Sequence, residues 1–298
     1  MPKPIVVGLD GSRESVAAAH WAAREALLRG RSLRLVHAWE GLPSDDESAA
    51  LPELKMPGDR ARGILRTTLD QISEAHPQLR VSAERINRFP VPALAAEAEK
   101  AELLVLGNQG LGGLGAFFMG SVSLASVAQV RQPVVLVRAD WTAAREHVPD
   151  DGGRPCVSTP YREVLLALDP KHECGELLDF ALQAAEHRGG TLSVIHAWQP
   201  PHSLGGPNQK GDAPGRRDTE RALAEMIDPW RKKYPSVDVQ VHTCRGRPAL
   251  TVTHAAQGAS LLVVGRRIRL ATMGSHVGRV VHQAVHRVAC PVAVIAHD

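Results

Sequence analysis

The residues with the most chemical content sit in one stretch, Leu103 to Ser123, LLVLGNQGLGGLGAFFMGSVS. Gly107, Gly110, Gly112, Gly113, Gly115 and Gly120 leave a backbone almost free of Cβ atoms, and Ser121, Val122 and Ser123 follow. A chain of that kind can wrap closely around an anion. A helix beginning after Gly120 would add free N–H groups and the positive end of its dipole, which attract phosphate. The serines add hydroxyl donors. The chemistry these residues suggest is therefore phosphate binding by the glycine-rich loop, the helix start after Gly120 and the hydroxyls of Ser121 and Ser123. The same composition would also suit a Gly-rich surface loop that binds nothing. A third reading is a dinucleotide fingerprint, because Gly110, Gly112 and Gly115 spell G-x-G-x-x-G. That motif needs a helix opening at the loop, and Ala116-Phe117-Phe118-Met119 intervenes.

A second candidate group is Asp10-Gly11-Ser12. The Asp10 carboxylate can accept hydrogen bonds from sugar hydroxyls or hold a water on Mg2+; its alternative is to cap the following helix. No Walker-type lysine and no nucleophile–base pair accompanies either group.

These residues need elements to hold them. Ile5 to Asp10 reads as a buried strand ending in an acid, and Ser15 to Leu28 as an Ala-rich helix stopped by Gly30. Strands follow at Ser32–Trp39, Leu79–Ile86, Leu103–Leu106 and Pro133–Arg138. Helices fall between them at Asp59–His76, Pro90–Lys100 and from Gly120 to about Arg131. Gly41 to Pro57 is polar and proline-containing, and reads as a mobile excursion. Alternating strands and helices predict a doubly wound parallel sheet with its ligand crevice at the C-terminal strand ends. Asp10, the end of the second strand at Ala38, and the loop after Leu106 all belong to such ends.

Length alone, 298 residues, favours about two domains. A net charge of +3 is too diffuse to suggest nucleic acid. No apolar run reaches the roughly 18 residues of a membrane span. The four cysteines are scattered, which fits a reducing compartment. Met1-Pro2-Lys3-Pro4 runs straight into the first strand, so the expectation is a cytoplasmic chain with no signal peptide.

After a polar stretch, Thr142 to Thr159, the pattern restarts. Val164–Asp169 repeats Ile5–Asp10 and Leu192–Trp198 repeats Leu33–Trp39, both 159 residues on. Ala259–Gly265 repeats Ala101–Gly107 and Pro291–Ala296 repeats Pro133–Arg138, both 158 residues on. Ordered matches of this kind indicate duplication, with domains expected at residues 1–145 and 160–298. Gln199 to Arg217 corresponds to the first half's excursion.

Gly107, Gly110, Gly120 and Ser121 give the spacing G-x2-G-x9-G-S. With the duplicated strands, this resembles the ATP-binding branch of the universal stress protein family over nearly the whole chain. The resemblance implies two tandem five-stranded α/β domains of the adenine-nucleotide α-hydrolase-like type, packed as a pseudo-dimer through their last strands. It implies ATP as ligand, with or without Mg2+, held by Asp10, Gly11, Ser12 and Ala38, with Gly107, Gln109, Gly110, Gly120, Ser121, Val122 and Ser123 at the phosphates. It further implies unidentified protein partners, a role in stress regulation, and room for a homodimer, with neither nucleic acid nor membrane as partner. The alternative is a slow ATPase or another ATP-using enzyme of the same fold, although S-G-G-x-D-S and H-x-G-H are both missing. A scaffold with relic loops is the remaining class. His37 and Trp39 recur as His196 and Trp198, which points to structural roles.

The second half departs from the motif. Pro170 stands for Gly11, Ile268 for Gly110, Arg279 for Ser121 and Val281 for Ser123. A weaker or altered site is expected there, at Asp169, Gly265, Arg266, Gly278 and Arg279. Arg266, Arg267, Arg269 and Arg279 either grip an anion through side chains or form a solvated basic loop. His276, His282 and His286 have spacing a metal site can use, without an H-E-x-x-H motif.

Overall fold

The computed structural model describes residues 2–39, 52–109, 121–172, 174–199, 212–268 and 277–298. The expectations for Gly110, Gly120, Arg269 and His276 lie outside those residues. The chain divides into two compact units, one from Met1–Thr142 and one from Ala143–Leu270 with Val277–Asp298.

The first unit starts with β1 (Ile5–Gly8), whose apolar residues are fully buried. α1 (Arg13–Arg29) follows. Ser12 caps it by accepting from Ser15 N–H, and Gly30 closes it in the left-handed region at φ 62°. Its alanine face and Trp21 pack onto the sheet with essentially no exposure. β2 (Leu33–Trp39), α2 (Pro52–Ala75), β3 (Val81–Asn87), α3 (Pro90–Glu99), β4 (Leu103–Gly107), α4 (Ser121–Gln129) and β5 (Val134–Val137) complete the unit. All strand pairs are parallel, in the order β3-β2-β1-β4-β5. α1 packs beside α2 and α3 beside α4. Right-handed crossovers therefore wind the sheet in both directions from β1 and β4, and the crevice opens where the winding reverses.

The second unit repeats this with β6 (Val164–Ala167), α5 (Gly175–His187), β7 (Thr191–Trp198), α6 (Asp212–Lys233), β8 (Asp238–Arg245), α7 (Pro248–Ala255), β9 (Leu261–Arg267), α8 (Arg279–Arg287) and β10 (Val292–His297). Its order is β8-β7-β6-β9-β10, again parallel. The register is conserved between halves: Ile5 faces Leu33 and Leu103, and Val164 faces Leu192 and Leu261.

Two expectations need correction. α2 begins at Pro52, so residues 52–57 belong to a helix and not to an excursion. Glu53-Leu54-Lys55-Met56 are strong helix formers, and a proline is tolerated at a helix start. α6 likewise begins at Asp212, inside the expected excursion from Gln199 to Arg217. The stretch from Thr142 to Thr159 is a built connection. It holds a short 3-10 turn at Ala143–Glu146 and an antiparallel bridge between His147 and Tyr161. Asp150 there accepts from the N–H groups of Gly152 and Arg154, around Gly153 at φ 73°.

Candidate functional site

The local sequence at the end of β1 sets the first wall of a site. Gly11 adopts φ 82°, which the Ile64 methyl 2.8 Å from its ideal Cβ position makes still more specific to glycine. That turn aims Asp10 back at Ser12. The Ser12 N–H and hydroxyl both donate to Asp10 Oδ1, at 2.9 and 2.5 Å, while Ser12 Oγ accepts from Ser15 N–H at 3.1 Å. Asp10 thus stands behind the cap residue and fixes it. Burial acts to raise the Asp10 pKa, but the Ser12 and Ser15 hydrogen bonds outweigh it and hold the carboxyl below its ordinary value.

β2 supplies the second wall. Its alternation puts Val36 and Ala38 on the same face, and His37 reaches from β2 to the Leu9 carbonyl at 2.8 Å. His196 makes the same 2.8 Å contact with Leu168 O in the second half. The recurring histidine therefore locks the ends of adjacent strands together. Trp39 packs under Arg85, whose guanidinium carbon lies 5.6 Å from the ring centre.

At the end of β4, an ideal Cβ on Gly107 would lie 2.7 Å from backbone atoms of Glu14 and Ser15. Gly107 is therefore required by the first turn of α1, which crosses directly over it. Ser123, in the first turn of α4, donates to Gly107 O at 2.9 Å and ties that helix start to the strand end.

These walls enclose a cavity of about 190 Å³ at the C-terminal ends of β1, β2 and β4. Asp10, Ser12, Ala38, Gly107, Gln109, Val122 and Ser123 line it together. Gly11 lies behind it in the turn. Gly110 and Gly120 are outside the described residues, and Ser121 is placed as the first residue of α4. The sequence reading missed the apolar end of the cavity, made by Val36, Pro90, Leu94 and Leu106. The signal was available: Val36 is two residues before Ala38 on a strand, and Leu94 one turn beyond Pro90 on a helix.

The second half holds a corresponding cavity of about 400 Å³. Ile195, Ala197, Pro248, Val252 and Val264 line it where Val36, Ala38, Pro90, Leu94 and Leu106 line the first. Of the residues expected in the second site, Asp169 and Gly265 line it. Gly278 is the N-cap of α8, Arg279 is exposed at its first position, and neither is among the lining residues. Arg266 is 8% exposed, and burial lowers its pKa. Its neighbour Arg267 lines the cavity instead, because β9 continues through both and successive side chains alternate. His282 and His286 lie one turn apart on α8, their rings tilted by 53° with centres 4.4 Å apart. Among the described residues no three His, Cys, Asp or Glu side chains are grouped to hold a metal.

The comparisons with known proteins bear on this arrangement. The sequence model of the universal stress protein family matches residues 1–138 and again 160–296. The chain belongs to the universal stress protein family. Two curated members illustrate the relation. Universal stress protein Rv2005c of Mycobacterium tuberculosis is 30% identical over 300 residues, covering 97% of this chain and 96% of the relative. A universal stress protein of Mycolicibacterium smegmatis is 30% identical over 310 residues, covering 98% and 96%. Among solved structures, a universal stress protein from Archaeoglobus fulgidus superposes with a TM-score of 0.66 at 18% identity, covering 99% of this chain and 98% of that one. That likeness shows the shared fold. No helix among the described residues of this universal stress protein is long and apolar enough to cross a membrane.

Proposed function

We propose that this universal stress protein is a regulatory nucleotide-binding module whose first half binds ATP. The observation that carries the reading is the division of the first cavity into two chemistries. Val36, Ala38, Pro90, Leu94 and Leu106 form an apolar slot suited to a flat base, while Asp10, Ser12 and the start of α4 form a polar mouth. The carboxylate suits ribose hydroxyls. The amides of the first α4 turn suit phosphate, and the Gly-rich sequence leading into that turn extends the same chemistry. Asp10 and Glu14 are the acids at the mouth, so Mg2+ would arrive with the phosphates and share waters with Asp10, not sit in a protein cage. The module acts in the cytoplasm and signals stress by presenting its nucleotide-bound surface to protein partners.

Denaturing freshly purified protein and identifying any released nucleotide by mass spectrometry tests this. Released ATP, or saturable ATP binding by the emptied chain, is the expected result. The absence of both release and saturable binding would overturn it.

A further inference from the structure

The two cavities share their apolar lining but differ in the residues that would meet a charged group. The difference starts at one position. Gly11 turns at φ 82°; its counterpart Pro170 is held near −65° and cannot make that turn. Lys171 then stands where Ser12 caps α1. α5 accordingly begins at Gly175, one turn later than α1 by the repeat, and its N-cap residue Cys174 makes no side-chain capping bond. The Cys174 thiol instead points to the carbonyls of Asp169 and His172.

In this half a histidine lies against the strand end. In the first half the backbone of Glu14 and Ser15 covers Gly107; in the second, His297 Nε2 lies 2.7 Å from the ideal Cβ position of Gly265, with Leu177 beside it. His297 ends β10 and is 6% exposed. Its Nδ1 pairs with the Asp298 carbonyl at 3.0 Å, so Nδ1 carries the proton and Nε2 presents a lone pair. Nε2 has no hydrogen-bond partner among the described residues, yet His297 lines the cavity. Arg267 lies on the same wall, where the first half has Gln109, and its Nη1 is 3.4 Å from His172 Nε2.

We propose that the second cavity is an oxyanion site of its own kind, in which His297 Nε2, Arg267 and the uncapped first turn of α5 hold a phosphate-type anion, and His297 gains a proton as the anion binds. The proposal stands on the second cavity's own residues and is independent of what the first cavity binds. The proton follows from the hydrogen bonding: Nε2 is an acceptor in the neutral ring and can donate to an oxyanion only after protonation. Burial holds His297 below its ordinary value, and Arg267 and His172 act in the same direction. Asp298 O and Glu176, in the first turn of α5, act the other way. Asp169, Cys174 and His196 are the other ionisable groups on the cavity wall. An anion among these groups adds the negative charge that favours the imidazolium, so binding strengthens as pH falls.

The test uses the full chain and sodium sulfate, whose charge is fixed between pH 5.5 and 8, with sodium chloride at matched ionic strength as the control. Histidine-resolved NMR should show the His297 midpoint rising on sulfate addition. Calorimetry should show sulfate affinity rising severalfold, up to about tenfold, per pH unit lowered through that midpoint. His297→Gln retains a donor that does not titrate, so sulfate binding should persist with its pH dependence lost. Arg267→Gln, at an exposed position, should weaken binding without affecting the fold. Inorganic phosphate and AMP then compete with sulfate at the His297 signal: displacement by both points to a phosphomonoester, displacement by phosphate alone to the free anion. A His297 midpoint unmoved at high sulfate, or a pH dependence that survives in His297→Gln, would overturn the proposal.

Discussion

The same substitution at two equivalent glycines should have unequal effects, and the structure says by how much. Alanine at Gly107 places a methyl 2.7 Å from the backbone of Glu14 and Ser15. Real contacts of that kind sit beyond 3.0 Å, so the first turn of α1 must move by several tenths of an ångström. Backbone cannot swing aside as a side chain can. Overpacking of this type costs about 1 to 3 kcal/mol, which in a unit of this size lowers Tm by roughly 3 to 10 °C. Because the displaced turn carries Ser12 and backs Asp10, the first cavity should lose ligand affinity as well. At Gly265 the obstacles are His297 Nε2 and a Leu177 methyl. Both are tips of side chains with rotational freedom, so Gly265→Ala should cost less than about 1 kcal/mol. Thermal unfolding of the two single variants, with hydrogen exchange read on peptides from α1 and β4 against α5 and β9, separates the effects. Equal destabilisation, or a neutral Gly107→Ala, would show that the close crossing of α1 over β4 does not constrain that position.

Other consequences follow from individual contacts. Ser12→Ala removes an N-cap and a partner of Asp10, costing about 1 kcal/mol near neutral pH. Because the folded Asp10 pKa is depressed, its share of that stability is present above the ordinary value near 3.8 and lost as pH falls below it. Urea titrations should therefore show a smaller Ser12→Ala effect at pH 2.5 than at pH 7. Arg29 is buried against Glu25 at 2.6 Å, with Glu102 at 3.2 Å; Glu25→Ala should destabilise by about 3 kcal/mol, because a buried guanidinium loses its closest partner. Hydrogen bonding from Ser158 lowers the Cys156 thiol pKa, whereas burial and nearby Asp169 push Cys174 up to about 11. Iodoacetamide at pH 8, followed by peptide mass mapping, should therefore label Cys156 well before Cys174.

The strands and their duplication were legible because buried parallel strands are short unbroken apolar runs, and Ile5–Leu9 and Val164–Leu168 preserve that run residue for residue. The histidine pair at His37 and His196 was legible for the same reason: local chemistry recurring at a fixed offset. What lay out of reach depended on packing between distant segments. Nothing local marks Gly107 as the crossing point of α1, since its neighbours there come from Glu14 and Ser15. The parity that selects Arg267 over Arg266 depends on how far β9 runs past Gly265. His297 lies beyond the last matched strand residue, opposite Ala139, so the repeat gave it no counterpart of similar chemistry. The later start of α5 was foreshadowed by Pro170, but the approach of an imidazole from β10 to Gly265 is a tertiary contact.

The central claim, one ATP site in the first half, is tested most directly by calorimetric titration of ATP into the full chain at physiological salt. Ala38 and Ala197 occupy the same position in the two apolar slots. A phenylalanine at either would fill its own slot and leave the other open. The account predicts a stoichiometry near one, abolished in Ala38→Phe and unchanged in Ala197→Phe. Binding that survives Ala38→Phe, or that disappears in Ala197→Phe, would contradict it.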